Sequence, residues 1–279
     1  MSRLDFKQID NLIDIALKED VGTGDITTDT IIPPDQRAKA LLTAKADGVI
    51  AGLLIAERVF RKLDSGVRWQ NRVDDGKAAA SKTVIAEVEG KLRALLTGER
   101  VALNFLQRMS GIATETSKYV SLLKSYRTKI LDTRKTLPGH RMLDKYAVNM
   151  GGGTNHRIGL YDMVMIKDNH IKAAGNITKA VEAIKGKVAE GIKIEVETTN
   201  LDEVKEALEA KADIIMLDNM STDLMRKAIR IIDGKAKVEA SGSMNLERLK
   251  EVAVTGVDFI SVGAVTHSVK ALDISMNIV

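Results

Sequence analysis

Basic side chains are concentrated in the middle of the sequence, between residues 132 and 171. They include Arg134, Lys135, His140, Arg141, His156, Arg157 and Lys167. Three consecutive glycines, Gly151–Gly153, precede His156. Backbone N–H groups at glycines can approach a ligand closely, and arginine can bind carboxylate or phosphate through two parallel hydrogen bonds. The segment therefore predicts a site for an anion, and a solvated basic loop is the alternative.

Charged or small polar residues also end the apolar runs in the second half of the chain. Six such runs alternate with helical patterns, which predicts a parallel sheet built from βα units. The predicted strands are Lys129–Arg134, Met163–Asp168, Ile192–Glu197, Asp213–Asp218, Lys237–Ser241 and Asp258–Gly263. Because the spacing favours a closed or nearly closed barrel, the strand ends should meet at one rim, where active sites form. We expect a functional site at that rim.

The rim divides by the sign of its charges. The first strand ends carry cations, whereas the later ones carry Glu195, Glu197, Asp218 and Glu239. A buried charge without a partner is costly, so each group needs a counter-charge. The cations suit an anionic substrate, and the acids suit Mg²⁺, sugar hydroxyls or a developing cation. The alternative is that the acids only neutralise the lysines in salt bridges.

Two loops of small residues follow the last two predicted strands. Ser241–Ser243 follows one strand and Gly263 ends the next. In α/β barrels the last βα loops often bind phosphate beside a helix N-terminus, so these loops predict a phosphate site. His267 lies just beyond, and by itself it is interpreted as a local hydrogen-bonding residue.

Helical patterns must hold these strand ends in place. They cover Arg141–Val148, Ile177–Lys185, Leu201–Glu209, Asp223–Ile232 and Leu246–Val254. A longer helix before them is predicted to begin at Thr97 as its N-cap, with Arg100 in its first turn. A cation there opposes the helix dipole, which indicates either an anion that needs Arg100 or a tolerated surface arginine.

The N-terminal third mixes strand and helix patterns without strict alternation, which predicts an α+β unit. An amphipathic helix is expected up to about residue 19, and residues 19–35 are interpreted as a loop. Strand patterns occupy 37–45, 68–71, 83–90 and 92–96, and a helical pattern occupies 50–62.

Composition excludes several classes of function. The 279 residues contain no cysteine, which rules out disulfides, thiolate zinc sites and cysteine nucleophiles. No apolar run approaches the ~20 residues that span a bilayer, and no signal peptide is recognised, so we expect a cytoplasmic protein without a membrane partner. A net charge of +4 and 3% aromatic residues do not favour nucleic-acid binding. The histidines lack metal-binding spacing, and GxSxG is absent.

Longer motifs resemble those of a known family. DTRKTLPGHR, KYAVNMGGGTNHRIGLYDMVMIKDNH, EASGS and SVGAVTHS are similar to signatures of the quinolinate phosphoribosyltransferases, and so are ALKEDVGTGDITT and GERVALNFLQRMSGIAT. The resemblance covers nearly the whole chain. It implies a homodimer of two-domain subunits: an N-terminal α+β sandwich over 1–110, with the tail 270–279 packed on it, and an open, incomplete α/β barrel of TIM type, with seven strands, over 111–269.

The resemblance also implies a reaction. Phosphoribosyl would pass from phosphoribosyl pyrophosphate to quinolinate with Mg²⁺ as cofactor, and decarboxylation would give nicotinate mononucleotide, pyrophosphate and CO₂ for NAD biosynthesis. Both substrates are polyanions, which agrees with a cationic pocket. Carboxylates would stabilise the oxocarbenium-like ribose, and Mg²⁺ would neutralise the departing pyrophosphate.

Site residues follow by motif from the same resemblance. The quinolinate pocket would contain Arg134, His156, Arg157 and Lys167, and Arg100 would reach into the site of the partner subunit. The residues implied in catalysis are Lys135, Glu197 and Asp218, and the two acids would also bind Mg²⁺ and the ribose. The phosphate and pyrophosphate region would contain Ser241, Gly242, Ser243, Gly263 and His267.

Two other functions remain open. One is a related phosphoribosyltransferase of the same fold with another acceptor, such as the molybdenum-transport-associated relatives. The other is a barrel that only binds a phosphorylated ligand. A complete set of pocket cations favours the dicarboxylate, because another acceptor would not need all of them and a binding module would not need the opposing acids.

Overall fold

The computed structural model describes residues 4–279, which form two compact units. The first unit contains the described residues up to Ser117, together with Thr136–Gly152 and Val265–Val279. The second contains Lys118–Lys135 and Gly153–Ala264. Each unit is therefore built from more than one stretch of the chain. The domain division at residues 110 and 111 stays a prediction.

An antiparallel sheet of four strands forms the centre of the first unit. Its strands are β1 (Arg37–Ala44), β3 (Arg68–Asn71), β5 (Val84–Lys91) and β12 (Ile274–Ile278), in the order β12-β1-β5-β3. In β1 alternate residues are buried, namely Ala40, Leu42 and Ala44. This period of two is typical of a sheet that covers a core with one face. A smaller sheet pairs β2 (Gly48–Val49) with β4 (Ala78–Ala79).

Five helices contribute to the first unit. They are α1 (Phe6–Val21), α2 (Ile26–Ile31), α3 (Leu53–Leu63), α4 (Leu92–Leu122), whose last residues continue into the second unit, and α5 (Arg141–Met150). Ion pairs join α1 to α3, with Arg58 2.5 Å from Asp10 and Lys62 2.6 Å from Asp14. The helical prediction near the N-terminus is confirmed from residue 6 onwards; its first three residues lie outside the described part of the chain.

The loop prediction for residues 19–35 is wrong in part, because α2 lies within it. Asp25 is the N-cap of this helix, and its Oδ1 accepts a hydrogen bond from Thr28 N at 2.9 Å. The helix contains β-branched residues of low helical propensity, which is why periodicity did not reveal it. The capping aspartate offsets that low propensity by satisfying a free backbone N–H.

The predicted start of the long helix is also wrong. Helix α4 begins at Leu92, directly after β5, so residues 92–96 are helical and do not form a strand. Thr97 lies in the second turn, where its hydroxyl donates to Asp25 Oδ2 at 3.0 Å instead of capping the helix. Arg100 consequently lies in the third turn and is exposed. The helix dipole acts mainly on the first turn, so the dipole argument for Arg100 does not apply.

Six parallel strands form the sheet of the second unit. They are β6 (Lys129–Leu131), β7 (Val164–Ile166), β8 (Ile194–Thr198), β9 (Ile214–Asp218), β10 (Lys237–Ser241) and β11 (Phe259–Ser261). Their order is β6-β11-β10-β9-β8-β7. With the helices that follow them, they form an open α/β barrel of TIM type, which confirms the predicted fold class. Beside β6, Thr154 adds an isolated parallel bridge to Leu131, at the place where a seventh strand would continue the order.

Helices follow the strands of this sheet and fix where each strand end points. They are α6 (Asp168–Ala174), α7 (Ile177–Ile184), α8 (Leu201–Glu209), α9 (Thr222–Ile232) and α10 (Leu246–Ala253), and α11 (Ala264–His267) continues into the first unit. Four of them have side-chain caps that accept backbone N–H bonds, at Asn176, Asn200, Ser221 and Asn245. Across residues 4–279, no helix combines the length and apolar character needed to cross a bilayer.

Candidate active site

Three neighbouring strands of the second unit bring charged and polar side chains together. Asp218 at the end of β9 pairs in register with Ser241 at the end of β10. Glu197 on β8 and Glu239 on β10 both pair with Met216 of β9, which lies between them. These side chains therefore stand at the carboxyl edge of the sheet, the edge at which α/β barrels carry their active sites.

His156 lies between two buried glutamates. Its Nε2 is 3.0 Å from Glu195 Oε2 and 3.4 Å from Glu239 Oε2; the His156 side chain is 7% exposed and both glutamates are 0% exposed. On the other side of Glu239, the hydroxyl of Ser261 on β11 donates to Oε1. The sequence placed these acids opposite the cations on the rim. In the structure they contact His156 and, among the described residues, no lysine, whereas the predicted alternative of a lysine salt bridge describes the contact of Glu197 with Lys167.

The protonation of His156 depends on its close contacts with the two acids and on one backbone hydrogen bond. Burial disfavours the charged ring of His156, whereas the two carboxylates favour it and raise its pKa, so the backbone contact at Nδ1 decides how many protons the ring carries. A second ring proton would have to sit on Nδ1, yet Nδ1 accepts a hydrogen bond from Arg157 N at 2.7 Å. We therefore assign one ring proton, on Nε2, facing the carboxylates. Burial also raises the pKa of Glu195 to about 7, although contact with His156 opposes that shift.

The backbone of His156 is fixed by Asp132, which directly follows β6. One carboxylate oxygen of Asp132 accepts from His156 N at 2.8 Å, and the other accepts from Asn155 Nδ2 at 2.8 Å. Asp132 is fully buried, so these bonds satisfy a group that would otherwise be costly to bury. Sequence reasoning missed this role. A carboxylate that follows a buried strand and precedes a glycine-rich turn is the signal that could have identified it.

Arg157 is half-buried and keeps donors available for a ligand. Its Nη1 donates to Met163 O at 3.2 Å, and its Nη2 faces Met165 Sδ at 3.7 Å, which is a weak acceptor. Within residues 4–279, Arg157 Nε has no hydrogen-bond partner. Burial lowers the pKa of Arg157, and the positive charge of Arg134 lowers it further. A half-buried guanidinium that feels a second positive charge favours the arrival of an anion.

The turn that carries Arg157 is closed by Asp162, a second residue that the sequence reasoning missed. Asp162 accepts hydrogen bonds from Ile158 N at 2.7 Å and from Gly159 N at 2.8 Å. The turn is thus held by one carboxylate before Arg157 and by another after it. Such anchoring limits the side-chain and backbone entropy that binding would otherwise cost.

The remaining cations stand at the ends of β6 and β7. Arg134 and Lys135 follow β6 and are exposed, and Lys135 N donates to Thr133 Oγ1 at 3.1 Å. Lys167 follows β7, and its Nζ is 2.5 Å from Glu197 Oε2 on the neighbouring strand β8. The Lys167 side chain is 44% exposed, so a ligand can reach this ion pair.

The loops after β9 and β10 pack closely on each other. Gly242 has φ +94°, and a Cβ at this position would lie 2.9 Å from Asn219 N and would collide with the Asn219 amide. Arg248 of α10 joins the two loops, since it donates to Gly242 O at 3.1 Å and to Met220 O at 2.7 Å. Glycine is therefore required at 242 for conformation and for space. Arg248 was not identified from the sequence, because its role is to bind main-chain carbonyls.

The other predicted site residues are distributed over both units of the chain. Gly263 is the penultimate residue of the second unit, whereas His267 and Arg100 belong to the first. His267 is exposed at the end of α11, with Nδ1 2.7 Å from Ser268 Oγ. Ser243 is exposed and has φ +49° in the loop before α10. The roles of these four residues in substrate binding stay predictions.

Two groups of residues in the second unit could hold a metal ion. His156, Glu195 and Glu239 bring three ligand atoms within 4.8 Å of one another. However, His156 Nε2 and Glu195 Oε2 are only 3.0 Å apart, so the ring already contacts this acid directly. Glu197 and Asp218 are more accessible. Asp218 Oδ2 accepts from Asn219 Nδ2 at 2.8 Å, and its Oδ1 has no hydrogen-bond partner among the described residues. Mg²⁺ binds one or two such carboxylates together with substrate phosphates, so these two residues fit that ion.

Two family models match adjoining parts of the chain. One, described as the N-terminal domain of quinolinate phosphoribosyl transferase, matches residues 25–110. The other, described as the C-terminal domain of quinolinate phosphoribosyl transferase, matches residues 112–277. Together they cover most of the sequence.

Individual relatives agree with these models. A probable nicotinate-nucleotide pyrophosphorylase (carboxylating) from Synechocystis sp. is 48% identical over 94% of this chain and 90% of its own length. A protein of the same description from Bacillus subtilis is 46% identical over 97% and 93%. Among solved structures, NadC from Streptococcus pyogenes has a TM-score of 0.95 and 43% identity, covering 99% of this chain and 98% of its own.

Proposed function

Because the chain belongs to the quinolinate phosphoribosyltransferase family, decarboxylating enzymes of NAD biosynthesis, we propose the full reaction as follows. Phosphoribosyl passes from phosphoribosyl pyrophosphate to the ring nitrogen of quinolinate, with Mg²⁺ as cofactor. The products are nicotinate mononucleotide, pyrophosphate and CO₂. The observation that carries the proposal is the half-buried guanidinium of Arg157, which stands in a turn anchored by Asp132 and Asp162 and feels the positive charge of Arg134.

The dicarboxylate would bind to cations that flank the carboxyl edge of the sheet. Arg157 offers guanidinium donors that the described residues leave unused, and Arg134 is exposed beside it. Arginine binds a carboxylate through two parallel hydrogen bonds, so the pair suits the two carboxylates of quinolinate. Lys167 would add a third cation from the end of β7 once the ligand competes with Glu197. His156 stays a predicted member of this pocket.

The ribose would lie over the acids at the ends of β8 and β9. The bond from its anomeric carbon to pyrophosphate breaks, and a bond to the ring nitrogen forms. The ribose passes through a cationic state that the carboxylates of Glu197 and Asp218 stabilise. Bound Mg²⁺ would supply charge neutralisation for the departing pyrophosphate, held by the same two residues. Lys135, exposed after β6, would place its ammonium group near both substrates.

The phosphates of the donor would bind in the loops of small residues. Ser241 and Ser243 offer hydroxyl groups, and Gly242 allows close approach of the main chain. Gly263 and His267 would complete this region. After transfer, the adjacent carboxylate departs as CO₂, its bonding electrons stay on the ring carbon beside the positively charged nitrogen that stabilises them, and that carbon then takes up a proton from water. No side chain need act as a nucleophile.

The reaction is tested by one assay. We expect the protein to form nicotinate mononucleotide and CO₂ from quinolinate and phosphoribosyl pyrophosphate, to stop when EDTA removes Mg²⁺, and to resume when Mg²⁺ is restored. Liquid chromatography measures the nucleotide and trapped ¹⁴CO₂ measures decarboxylation. Turnover of nicotinate but not of quinolinate would assign the chain to a related phosphoribosyltransferase instead. Binding without turnover of either would indicate a module that only binds a phosphorylated ligand.

We also propose a homodimer in which Arg100 serves the site of the neighbouring subunit. Arg100 is exposed on the long helix α4, so a partner can reach it. Arg100→Ala and Lys135→Ala variants should each be inactive, and mixing them should restore part of the activity, because one hybrid site then contains both residues. Native mass spectrometry of an isotope-labelled mixture confirms subunit exchange. Full exchange without recovery of activity would contradict the shared site. A cytoplasmic location stays a prediction.

A further inference from the structure

Both ring nitrogens of His156 have partners within the chain. Nε2 lies 3.0 Å from Glu195 Oε2 and 3.4 Å from Glu239 Oε2, and Nδ1 accepts from Arg157 N at 2.7 Å. With its side chain only 7% exposed, the ring joins a buried acidic pair on one side to the main chain of Arg157 on the other. A ring held in this way can determine where the next residue points.

We propose that Glu195 and Glu239 are positioning residues for substrate binding: they hold the His156 ring so that its Nδ1 fixes the main chain of Arg157 and directs that guanidinium at the substrate carboxylate. The proposal rests on the proposed function only in naming the carboxylate as the ligand. It assigns a role to two acids that the reaction itself does not use.

The geometry allows Glu195 and Glu239 to act on Arg157 through the His156 ring. Glu195 on β8 and Glu239 on β10 approach it from two strands that are both neighbours of β9. The glutamates are not free to turn, since they are fully buried and Ser261 donates to Glu239 Oε1. In a neutral imidazole whose N–H faces a carboxylate, the other nitrogen is an acceptor, and Nδ1 has that role towards Arg157 N.

The hydrogen bonds of the surrounding turn show why the His156 ring matters as an acceptor. Asp132 binds the backbone N–H of His156, and Asp162 binds those of Ile158 and Gly159. Of the consecutive N–H groups from 156 to 159, only that of Arg157 depends on the imidazole. If the ring turned or changed tautomer, this N–H would lose its acceptor while both ends of the turn stayed fixed. The expected consequence is local: a misdirected guanidinium, with the fold retained.

Two other roles for the cluster make different predictions. A buried metal site of His156, Glu195 and Glu239 would require a metal ion in the purified protein. A purely structural role would lower stability without selecting between substrates. The positioning role requires a protonated Nε2, an unprotonated Nδ1, and a specific loss of affinity for quinolinate.

The test uses Glu195→Gln and Glu239→Gln, which keep the shape of the side chain and remove its charge. We expect the KM for quinolinate to rise about tenfold, the equivalent of one misaligned hydrogen bond to a charged group. The KM for phosphoribosyl pyrophosphate should change less than about twofold, because the donor binds through other loops. Glu209→Gln, an exposed glutamate at the end of α8, is the matched control and should leave both constants unchanged.

A double-mutant cycle tests whether the effect passes through Arg157. In an Arg157→Lys background the glutamine substitutions should add less than about twofold, because the group they misdirect has already been replaced. Equal effects in both backgrounds would overturn the proposal, and so would equal losses for both substrates. An inactive wild-type chain with quinolinate would instead overturn the proposed function.

Nuclear magnetic resonance of the unaltered protein gives a readout that does not depend on variants folding. The ring ¹⁵N resonances of His156 should show a protonated Nε2 and an unprotonated Nδ1. The opposite tautomer, or a stoichiometric metal ion detected by mass spectrometry, would exclude the positioning role. Ser261→Ala, which removes only the hydroxyl bonded to Glu239, should raise the KM for quinolinate in the same direction but by less.

Discussion

Replacement of Arg157 by alanine is expected to lower kcat/KM for quinolinate by on the order of 10²–10³-fold. Two hydrogen bonds between a guanidinium and a carboxylate are worth about 3–4 kcal/mol together when both groups leave water, and each 1.4 kcal/mol corresponds to about a tenfold change. Arg157 is half-buried and already has a lowered pKa because of burial and of Arg134. Its removal would leave a substrate carboxylate in that place without its partner.

A matched control separates this effect from a general loss of charge. Arg226 lies on the exposed face of α9, where its Nη1 is 2.7 Å from Asp223. Arg226→Ala should leave kcat/KM within about twofold, because exposed ion pairs contribute little and this one lies on a helix surface. Steady-state kinetics with each substrate in turn measures the difference. A loss for Arg157→Ala below about fivefold would show that Arg157 does not bind the substrate.

Arg157→Lys should be impaired almost as strongly as the alanine variant. Lysine keeps the positive charge but has a single ammonium group, and it cannot form two parallel hydrogen bonds to one carboxylate. If the lysine variant were fully active, charge alone would account for binding, and the orientation of the guanidinium would not matter. The same variant therefore also tests the geometric premise of the role proposed for Glu195 and Glu239.

The second half of the fold was predictable because its strands are short apolar runs with clear ends. The pattern gave β10 its bounds, Lys237–Ser241, and placed the C-terminal ends of β8 and β9 within a residue, whereas the predicted end of β6 was three residues too late. The location of a strand that is buried on both faces can be read mainly from its own run of apolar residues. The N-terminal third was less predictable, since α2 depends on the cap Asp25 and the start of α4 depends on the strand that leads into it.

In the candidate site, residue types were predictable but their partners were not. Arg157 and Lys167 were singled out as cations, and Glu195 and Glu197 as acids of the same strand. The sequence could not show that Glu195 is buried against His156 while Glu197 pairs with Lys167, since those contacts join residues about 30–40 positions apart through the sheet register. Asp132, Asp162 and Arg248 were missed for a related reason: each binds main-chain atoms, which leave no trace in the residue pattern.

Replacement of Asp144 by alanine is expected to lower the free energy of unfolding by about 3–5 kcal/mol, the typical cost of removing one member of a buried ion pair. Asp144 is 0% exposed, and its two oxygens accept from Arg108 Nε at 3.1 Å and Arg108 Nη2 at 2.8 Å. Its Oδ2 also accepts from Leu137 N at 3.3 Å. The substitution would leave the Arg108 guanidinium, whose side chain is 26% exposed, without the carboxylate it was paired with.

The chain offers a matched aspartate–arginine pair at the surface. Asp223 is 85% exposed and 2.7 Å from Arg226, so Asp223→Ala should cost at most about 0.5–1 kcal/mol. Urea denaturation of both variants measures the difference at equal loss of charge. If burial determines the cost, Asp144→Ala should lower the free energy of unfolding severalfold more than Asp223→Ala does. Similar costs would mean that the Arg108–Asp144 pair contributes no more than a surface pair.

Hydrogen exchange would show where the stability is lost. Asp144 lies on α5 in the first unit, so Asp144→Ala should speed exchange of amides in α5 and in the adjoining residues 136–140. Amides of β8, β9 and β10 belong to the second unit and should keep their protection. A uniform loss of protection would instead show that the chain unfolds as one cooperative body, and the cost of the substitution would then belong to the whole chain.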